Sequence, residues 1–255
     1  MAEEKNEVVE QKPKTFSMAL TEKLKEVSGA LPKDFNRDRF VQNSLALLND
    51  KPELKQFNQA QIMSGLLKGS YLGCDFFNGE CWLIPYKGQL TFQTSYKGEV
   101  KLAKKYSNRP IKEIYAKVVR QGDEFQEQII DGQPHIDFKP LPFNGGSMVG
   151  AFAVVLFVDG GMMYETMSIA EIEKARQQGM GNSPAWKNWY EEMSKKVVLK
   201  RLSKHISKDM ENPIQLDVYN KEMETDIKAD TPKVVDALAD DNIVDTEYTE
   251  SEVEE

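Results

Sequence analysis

The chain has little of what secreted domains and most metal or nucleophilic enzymes rely on. Only two cysteines and two histidines occur in its 255 residues. Cys74 and Cys81 form a C-x6-C pair with no second pair, in an apolar and aromatic setting that reads as reduced thiols of a bacterial-type cytosol. His135 and His205 are distant in sequence, so no zinc-site spacing is present and no metal ligand is expected. No apolar run approaches the roughly 18–20 residues that span a bilayer. The first fourteen residues, MAEEKNEVVEQKPK, lack the basic start and apolar stretch of a secretory signal, which points to a cytoplasmic location. There is no G-x-x-x-x-G-K-[ST] loop, so a P-loop motor is unsupported, and no serine, histidine and aspartate arrangement marks a hydrolase.

What is present is charge, unevenly distributed. The net charge is −8, yet residues 209–255 hold 16 acidic and 3 basic residues, and residues 1–14 hold 4 and 3. That leaves 27 basic and 21 acidic residues in 15–208, a basic body with an acidic tail. Three regions follow: residues 1–14, expected to be disordered; residues 15–208, one folded domain built on one main core; and residues 209–255, an acidic and mostly disordered tail too poor in apolar residues to offset its ordering entropy.

Apolar spacing predicts helices around Phe16–Val27, Phe40–Leu48 and, from the cap at Asn58, Ile62–Leu67 up to Gly73. Residues 80–94 read as a hairpin around Lys87-Gly88, and 96–106 as a helix with Val100, Leu102 and Ala103 inward. Strand-like stretches follow at Ile111–Arg120, Glu124–Ile130, His135–Phe138 and Val149–Val158. Ser168-Ile-Ala-Glu171 is a capping box, and Ser183-Pro184 opens a helix running to about Ser207. The expected fold class is α+β: a small antiparallel, meander-like sheet backed by helices, with a long basic helix at the C-terminal end of the folded part.

That helix carries the strongest binding signal. Lys196, Lys200 and Lys204 recur at four-residue steps with Arg201 beside them, and no acid follows Glu192 to relieve the repulsion. A polyanion would relieve it, and lysines suit phosphates rather than base edges. Its apolar residues change sides halfway: Trp186, Trp189, Tyr190, Met193 and Val197 share one stripe, and Val198, Leu199, Leu202 and Ile206 the nearly opposite one. Aromatics interleave with lysines at Phe76, Phe77, Trp82, Tyr86, Phe92 and Tyr96. Most belong in a core, with Phe92 and Tyr96 the candidates for stacking on bases.

Two other functions compete. Asp75 with Glu99-Val-Lys101 has the spacing of a D…E-x-K metal-dependent nuclease, but Glu99 and Lys101 fall in a predicted helix rather than on the strand that chemistry needs. The acidic tail fits an interaction scaffold for replication proteins.

Several blocks then resemble one family. Ile84-Pro-Tyr86, Phe92-Gln93, Tyr96-Lys-Gly98 and Leu102-Ala103 resemble the PY, FQ, YKG and LA signature of the RecT family. Gly150-Ala-Phe-Ala153, Met167-Ser-x-x-Glu-Ile-Glu173, Ser183-Pro-Ala-Trp186 and Tyr190-x-x-Met193-x-x-Lys196-x-Val198 with Lys200-Arg201 resemble its second half, in order. One departure is Ser95, where many members carry glycine. The resemblance spans about residues 15–208. It implies an ATP-independent phage or prophage protein that coats single-stranded DNA, holds an annealed duplex intermediate, assembles into rings or helical filaments, and works with a phage exonuclease and the host single-stranded-DNA-binding protein. It implies no cofactor and no catalytic residue, and it puts Lys97, Lys101, Lys195, Lys196, Lys200, Arg201 and Lys204 in the DNA groove, with Phe92, Gln93 and Tyr96 beside them.

Overall fold

The computed structural model describes residues 15–225. The expected disorder of residues 1–14 and of the tail beyond 225 therefore lies outside the described residues.

Three helices open the fold. α1 (Phe16–Glu26), α2 (Arg37–Asp50) and α3 (Gln59–Leu72) begin at Thr15, Asn36 and Asn58, whose side-chain oxygens accept from the N–H of Met18, Arg39 and Gln61. Each cap satisfies a backbone donor that the helix itself cannot. α3 ends at Gly73, which takes the left-handed conformation (φ 64°). β1 (Cys81–Tyr86) and β2 (Gln89–Thr94) form an antiparallel hairpin, and its turn residues Lys87 and Gly88 both have positive φ, as a tight two-residue turn demands. α4 (Tyr96–Tyr106) follows, capped by Ser95, whose Oγ accepts from Gly98 N–H and donates to the Gly79 carbonyl.

The remaining strands are β3 (Ile111–Arg120), β4 (Glu124–Ile130), β5 (Gln133–Lys139), β6 (Met148–Phe157) and β7 (Met162–Ser168). They are antiparallel and helix-backed, as expected, and their connectivity is more elaborate than a plain meander. β6 pairs with both β3 and β7, while β4 and β5 form a separate hairpin between them in sequence. That hairpin lies over one face of the three-stranded sheet, with Phe125 and Phe138 at 5.1 and 5.0 Å from Phe152. β7 was not among the strands read from the sequence, because its Met-Met-Tyr-Glu-Thr-Met-Ser run lacks a clear alternation.

Four more helices complete the described residues: α5 (Ile169–Gln178) with the Ser168/Glu171 capping box, α6 (Pro184–Asn188), α7 (Tyr190–His205) and α8 (Pro213–Thr225). Two expectations are corrected here. The single helix from Pro184 is broken at Trp189 (φ −137°, ψ 48°). A straight helix would send Trp186 and Leu199 to opposite sides, and the break lets both enter the same core. The folded part also runs past residue 208. Gln215, Val218, Tyr219, Glu222 and Met223 repeat at three- and four-residue steps and are buried, while Asp217 and Glu224 face water. Counting charge alone hid an amphipathic helix. Among the described residues, no helix is long and apolar enough to cross a membrane.

Among the described residues, buried apolar side chains form three clusters rather than one main core. The first joins α1, α2, α3, the β1–β2 hairpin and α8. The second lies between α7 and the sheet, where Ala151 and Ala153 of β6 let the helix approach closely. The third sits beneath the β4–β5 hairpin. α4 belongs to two of them, giving Leu102 and Tyr106 to the first and Ala103 to the second.

A buried polar network crosses this junction. Lys200 Nζ of α7 donates to Glu222 Oε1 of α8 at 2.6 Å, and the same oxygen accepts from the backbone N–H and hydroxyl of Thr94 on β2 at 2.9 and 2.8 Å. Thr94 Oγ1 also lies 2.5 Å from Glu99 Oε1 of α4. A hydroxyl carries one proton. Thr94 can therefore donate to only one of the two carboxylates at a time, and a proton on Glu99 would let both short contacts stand. Burial raises its pKa, and the charge of Glu222 adds to the effect against the opposing pull of Lys200 and Lys208. Lys208 and Tyr219 close the network: Tyr219 OH lies 3.4 Å from Glu99 Oε2, and burial lowers Lys208 to about 8.

Two predictions follow from these contacts. A Cβ on Gly98 would sit 2.0 Å from the Glu80 carbonyl oxygen, so Gly98→Ala should destabilise the protein by about 1–3 kcal/mol in urea unfolding. A neutral variant that unfolds at the wild-type midpoint would remove that contact from the account. For Glu99, a raised acid pKa contributes stability that is complete below the ordinary carboxyl range and is lost as pH rises through the folded value. Melting temperature should therefore fall with rising pH more steeply for the wild type than for Glu99→Gln; parallel curves would contradict a proton on Glu99.

Candidate nucleic-acid interface

The basic stripe of α7 is divided between interior and surface. Lys196 and Lys200 are 8% and 5% exposed. Lys196 Nζ lies 3.5 Å from Gln93 Oε1, and Lys200 is held by Glu222. The sequence argument that no acid relieves this stripe is therefore corrected for Lys200 and Arg201, whose carboxylate partners come from other elements. Glu192 pairs with Lys195 at 2.6 Å, and Glu165 and Glu171 pair with Arg201 at 2.8 and 3.1 Å. Arg201 keeps 45% of its side chain exposed, and Lys204 is exposed. A solvent-filled groove lined by all five cations is not what the fold builds. Lys196 and Lys200 set the packing, and Lys195, Arg201 and Lys204 remain within reach of a ligand.

The α4 lysines form a second group. Lys97 Nζ donates to the Asn78 carbonyl at 2.9 Å, and Lys101 Nζ to the Gly73 carbonyl and Glu80 Oε2 at 2.7 and 2.6 Å. Together they tie α4 to the 73–80 loop while Lys97 stays exposed. Asp75 in that loop turns away from them, accepting from Arg39, Asn43 and the N–H groups of Phe77 and Asn78. Asp75, Glu99 and Lys101 thus have three separate sets of partners, which corrects the nuclease reading: the helix carries Glu99 into the interior network and Lys101 out to Glu80. Among the described residues, no cluster of three histidine, cysteine, aspartate or glutamate side chains is placed to hold a metal ion. Cys74 and Cys81 are free and buried, and burial together with the neighbouring Cys74 pushes the Cys81 thiol well up.

The residues read as stacking candidates are placed as follows. Phe92 is 5% exposed and meets Phe76 edge-on at 6.2 Å, so its ring belongs to the first core. Tyr96 packs against the second core, and its OH accepts from Ala116 N–H at 2.8 Å, satisfying an edge donor of β3. Its phenol is raised by burial. Gln93 is 5% exposed, bridging Lys196 and the Met180 sulfur, 3.1 Å away. Of the aromatics interleaved with lysines, those that face solvent are others: Phe77 at 66% and Trp82 at 37% exposed, with Tyr86 half-buried. The signal for them was strand parity. Trp82, Ile84 and Tyr86 share one side and Cys81 and Leu83 the other, but Cys-Trp-Leu-Ile-Pro-Tyr is apolar on both sides and conceals which is inward.

The recurring motif residues therefore sit at joints: Tyr96 at a strand edge, Gly98 against the Glu80 carbonyl, Ala151 and Ala153 beneath α7. Comparison with known proteins agrees with this architecture. The model of the RecT family matches residues 38–235, from α2 to beyond the end of α8. Protein RecT of Escherichia coli (strain K12) is 26% identical over 235 residues, covering 88% of this chain and 82% of that protein. The uncharacterized protein YqaK of Bacillus subtilis (strain 168) is 24% identical over 205 residues, covering 78% of this chain and 71% of that protein. A family match over residues 38–235, well over half of the chain, makes it a member of the RecT family, proteins that bind single-stranded DNA and anneal complementary strands in recombination.

Proposed function

We propose that the protein grips single-stranded DNA by its phosphates and lets a complementary strand pair with the bases it presents, without nucleotide hydrolysis and without making or breaking a covalent bond. The observation that carries this reading is the family match over residues 38–235. The sorting of the cations supports it. Lys97, Lys195, Arg201 and Lys204 are accessible, and two of their ion pairs are at the surface, where exchanging a carboxylate for a phosphate costs little. Lysine and arginine contacts to the backbone carry no sequence information, so binding is indifferent to sequence. Lys196 and Lys200 act as positioning residues, holding α7 against β2 and α8. The working assembly is a ring or helical filament of copies on the strand and on its annealed duplex intermediate. A phage exonuclease supplies single strands, and the host single-stranded-DNA-binding protein is the competitor for them in the bacterial cytoplasm.

The test is annealing of two complementary fluorescent oligonucleotides without ATP. Wild type should accelerate it, and Lys97→Ala/Arg201→Ala/Lys204→Ala should slow it. If about four phosphates are contacted per protomer, the log–log salt slope of binding is roughly −3, and removing three cations should bring it to roughly −1. A wild-type slope near zero would refute phosphate gripping. Lys200→Ala should behave differently. It leaves Glu222 buried without its cation, so the loss, about 3–5 kcal/mol, should appear in unfolding; a stable variant with weakened DNA binding would place Lys200 at the phosphates instead.

A further inference from the structure

We infer that the outer face of the β1–β2 hairpin, continued by the 76–79 turn, is a stacking surface for unpaired nucleobases. The inference rests on single-strand binding as read above and goes beyond it, because phosphate contacts alone leave the bases unaddressed.

Register defines the face. Trp82 pairs with Gln93, Ile84 with Thr91 and Tyr86 with Gln89, so these six side chains share one side of the hairpin. The opposite side, with Cys81, Leu83, Phe92 and Thr94, is buried. Gln93, at one end of this face, is buried against Met180 and Lys196, so the part open to solvent is the edge that carries Trp82 and, nearer the turn, the half-buried Tyr86. Phe77 continues it. A Cβ added to Gly79 would lie 3.3 Å from Trp82 Cη2, so the indole rests on the backbone of the turn that displays Phe77. Gly79 has φ 68°, and Phe77 is 66% exposed.

Charge identifies the occupant. Lys51 Nζ stands 4.9 Å from the Trp82 ring centroid and Lys87 Nζ 5.4 Å from that of Tyr86, and Lys97 reaches the Asn78 carbonyl of the same turn. The acids of this turn face inward: the side chains of Asp75 and Glu80 are 16% and 10% exposed and are engaged by Arg39, Asn43, Lys101 and backbone N–H groups. Rings alternating with cations, with the local carboxylates withdrawn, match a ligand that alternates flat apolar groups with phosphates. An apolar protein partner would want the rings without the ammonium groups. In the free protein the lysines cover the ring faces; a bound strand puts a base on the ring and its phosphate on the displaced ammonium.

The full-length protein tests this by fluorescence anisotropy at low salt, with labelled oligothymidylate and an abasic deoxyribose-phosphate oligomer of the same length as probes. Wild type should bind the base-bearing oligomer about five- to a hundredfold more tightly. Trp82→Leu/Tyr86→Leu should shrink that ratio toward one while leaving abasic affinity in place, and Trp82→Phe/Tyr86→Phe should keep most of it. Equal wild-type affinity for the two oligomers, or an undiminished ratio in the leucine variant, overturns the stacking surface but not phosphate gripping; failure to bind either oligomer overturns both. A second measurement leaves the hairpin untouched. In Trp189→Phe, where Trp82 and the buried Trp186 remain, oligothymidylate should quench tryptophan emission and the abasic oligomer should not; equal quenching by the two overturns the proposal.

Discussion

The contact on which the rest of the structure depends is the one between Lys200 and Glu222, with Thr94 and Glu99 gathered round it. Its four members come from α7, α8, β2 and α4, elements that belong to different apolar cores. Apolar packing holds each core but says little about how one is oriented on the other, because it is non-directional. A buried carboxylate that needs an ammonium, a hydroxyl and a backbone N–H at fixed positions does specify orientation. Such a network is weak as a source of net stability, since desolvation offsets most of the attraction. Its value is that wrong arrangements leave a buried charge without partners. Burial and the adjacent charge of Glu222 raise Glu99 against the pull of Lys200, the Thr94 hydrogen bond and Lys208, which favours the neutral form for one of the two adjacent buried carboxylates.

The same principle divides the cations into two functional kinds. Those inside are matched to interior acceptors and cannot be surrendered without unravelling the junction. Those outside are also matched, and their pairs with Glu192 and Glu171 lie in water, where such pairs are worth little. For a protein that must first hold a strand and then release a duplex, this is a useful balance. Surface carboxylates compete with phosphates for the same cations, so each contact is weakened without being lost. On the proposed phosphate grip, affinity would come from many weak contacts along the strand rather than from a few tight ones.

Much of the fold was legible in local sequence. Caps at Asn58 and Ser168, the Lys87-Gly88 turn and the spacing in 96–106 each name a backbone event that short-range chemistry decides. What stayed hidden was long-range. The break at Trp189 resolves a conflict between two apolar stripes that is visible in the sequence, but only the shared core shows that a break is the resolution. α8 was masked by its acids, because net charge is an average over faces and burial is not. The cations of α7 looked unrelieved because their partners, Glu165, Glu171 and Glu222, are remote in sequence or come from other elements. The aromatics misled for a related reason: the interleaving of rings and lysines was real, but strand parity assigned Phe92 inward and Trp82 outward, and a strand apolar on both sides does not announce its parity.

This bears on what the family's recurring residues are for. Tyr96 supplies an acceptor to an otherwise unpaired edge N–H of β3, Gly98 admits the Glu80 carbonyl, Gln93 spans the distance between Met180 and Lys196, and Ala151 and Ala153 set how near α7 lies to the sheet. None of these needs to touch DNA to matter, because each sets how two elements of the fold meet. Ser95 fits the same logic. Where glycine would leave the first turn of α4 uncapped, the serine hydroxyl closes it by accepting from Gly98 and donating to Gly79, so the substitution tightens the joint on which Lys97 is mounted. The residues that meet the ligand are those whose position such joints determine. A charge on a surface tolerates displacement because the phosphate it meets is itself mobile, whereas the packing beneath it does not. A motif search in this family therefore finds the frame first, and the interface has to be read from which side chains the frame leaves in water.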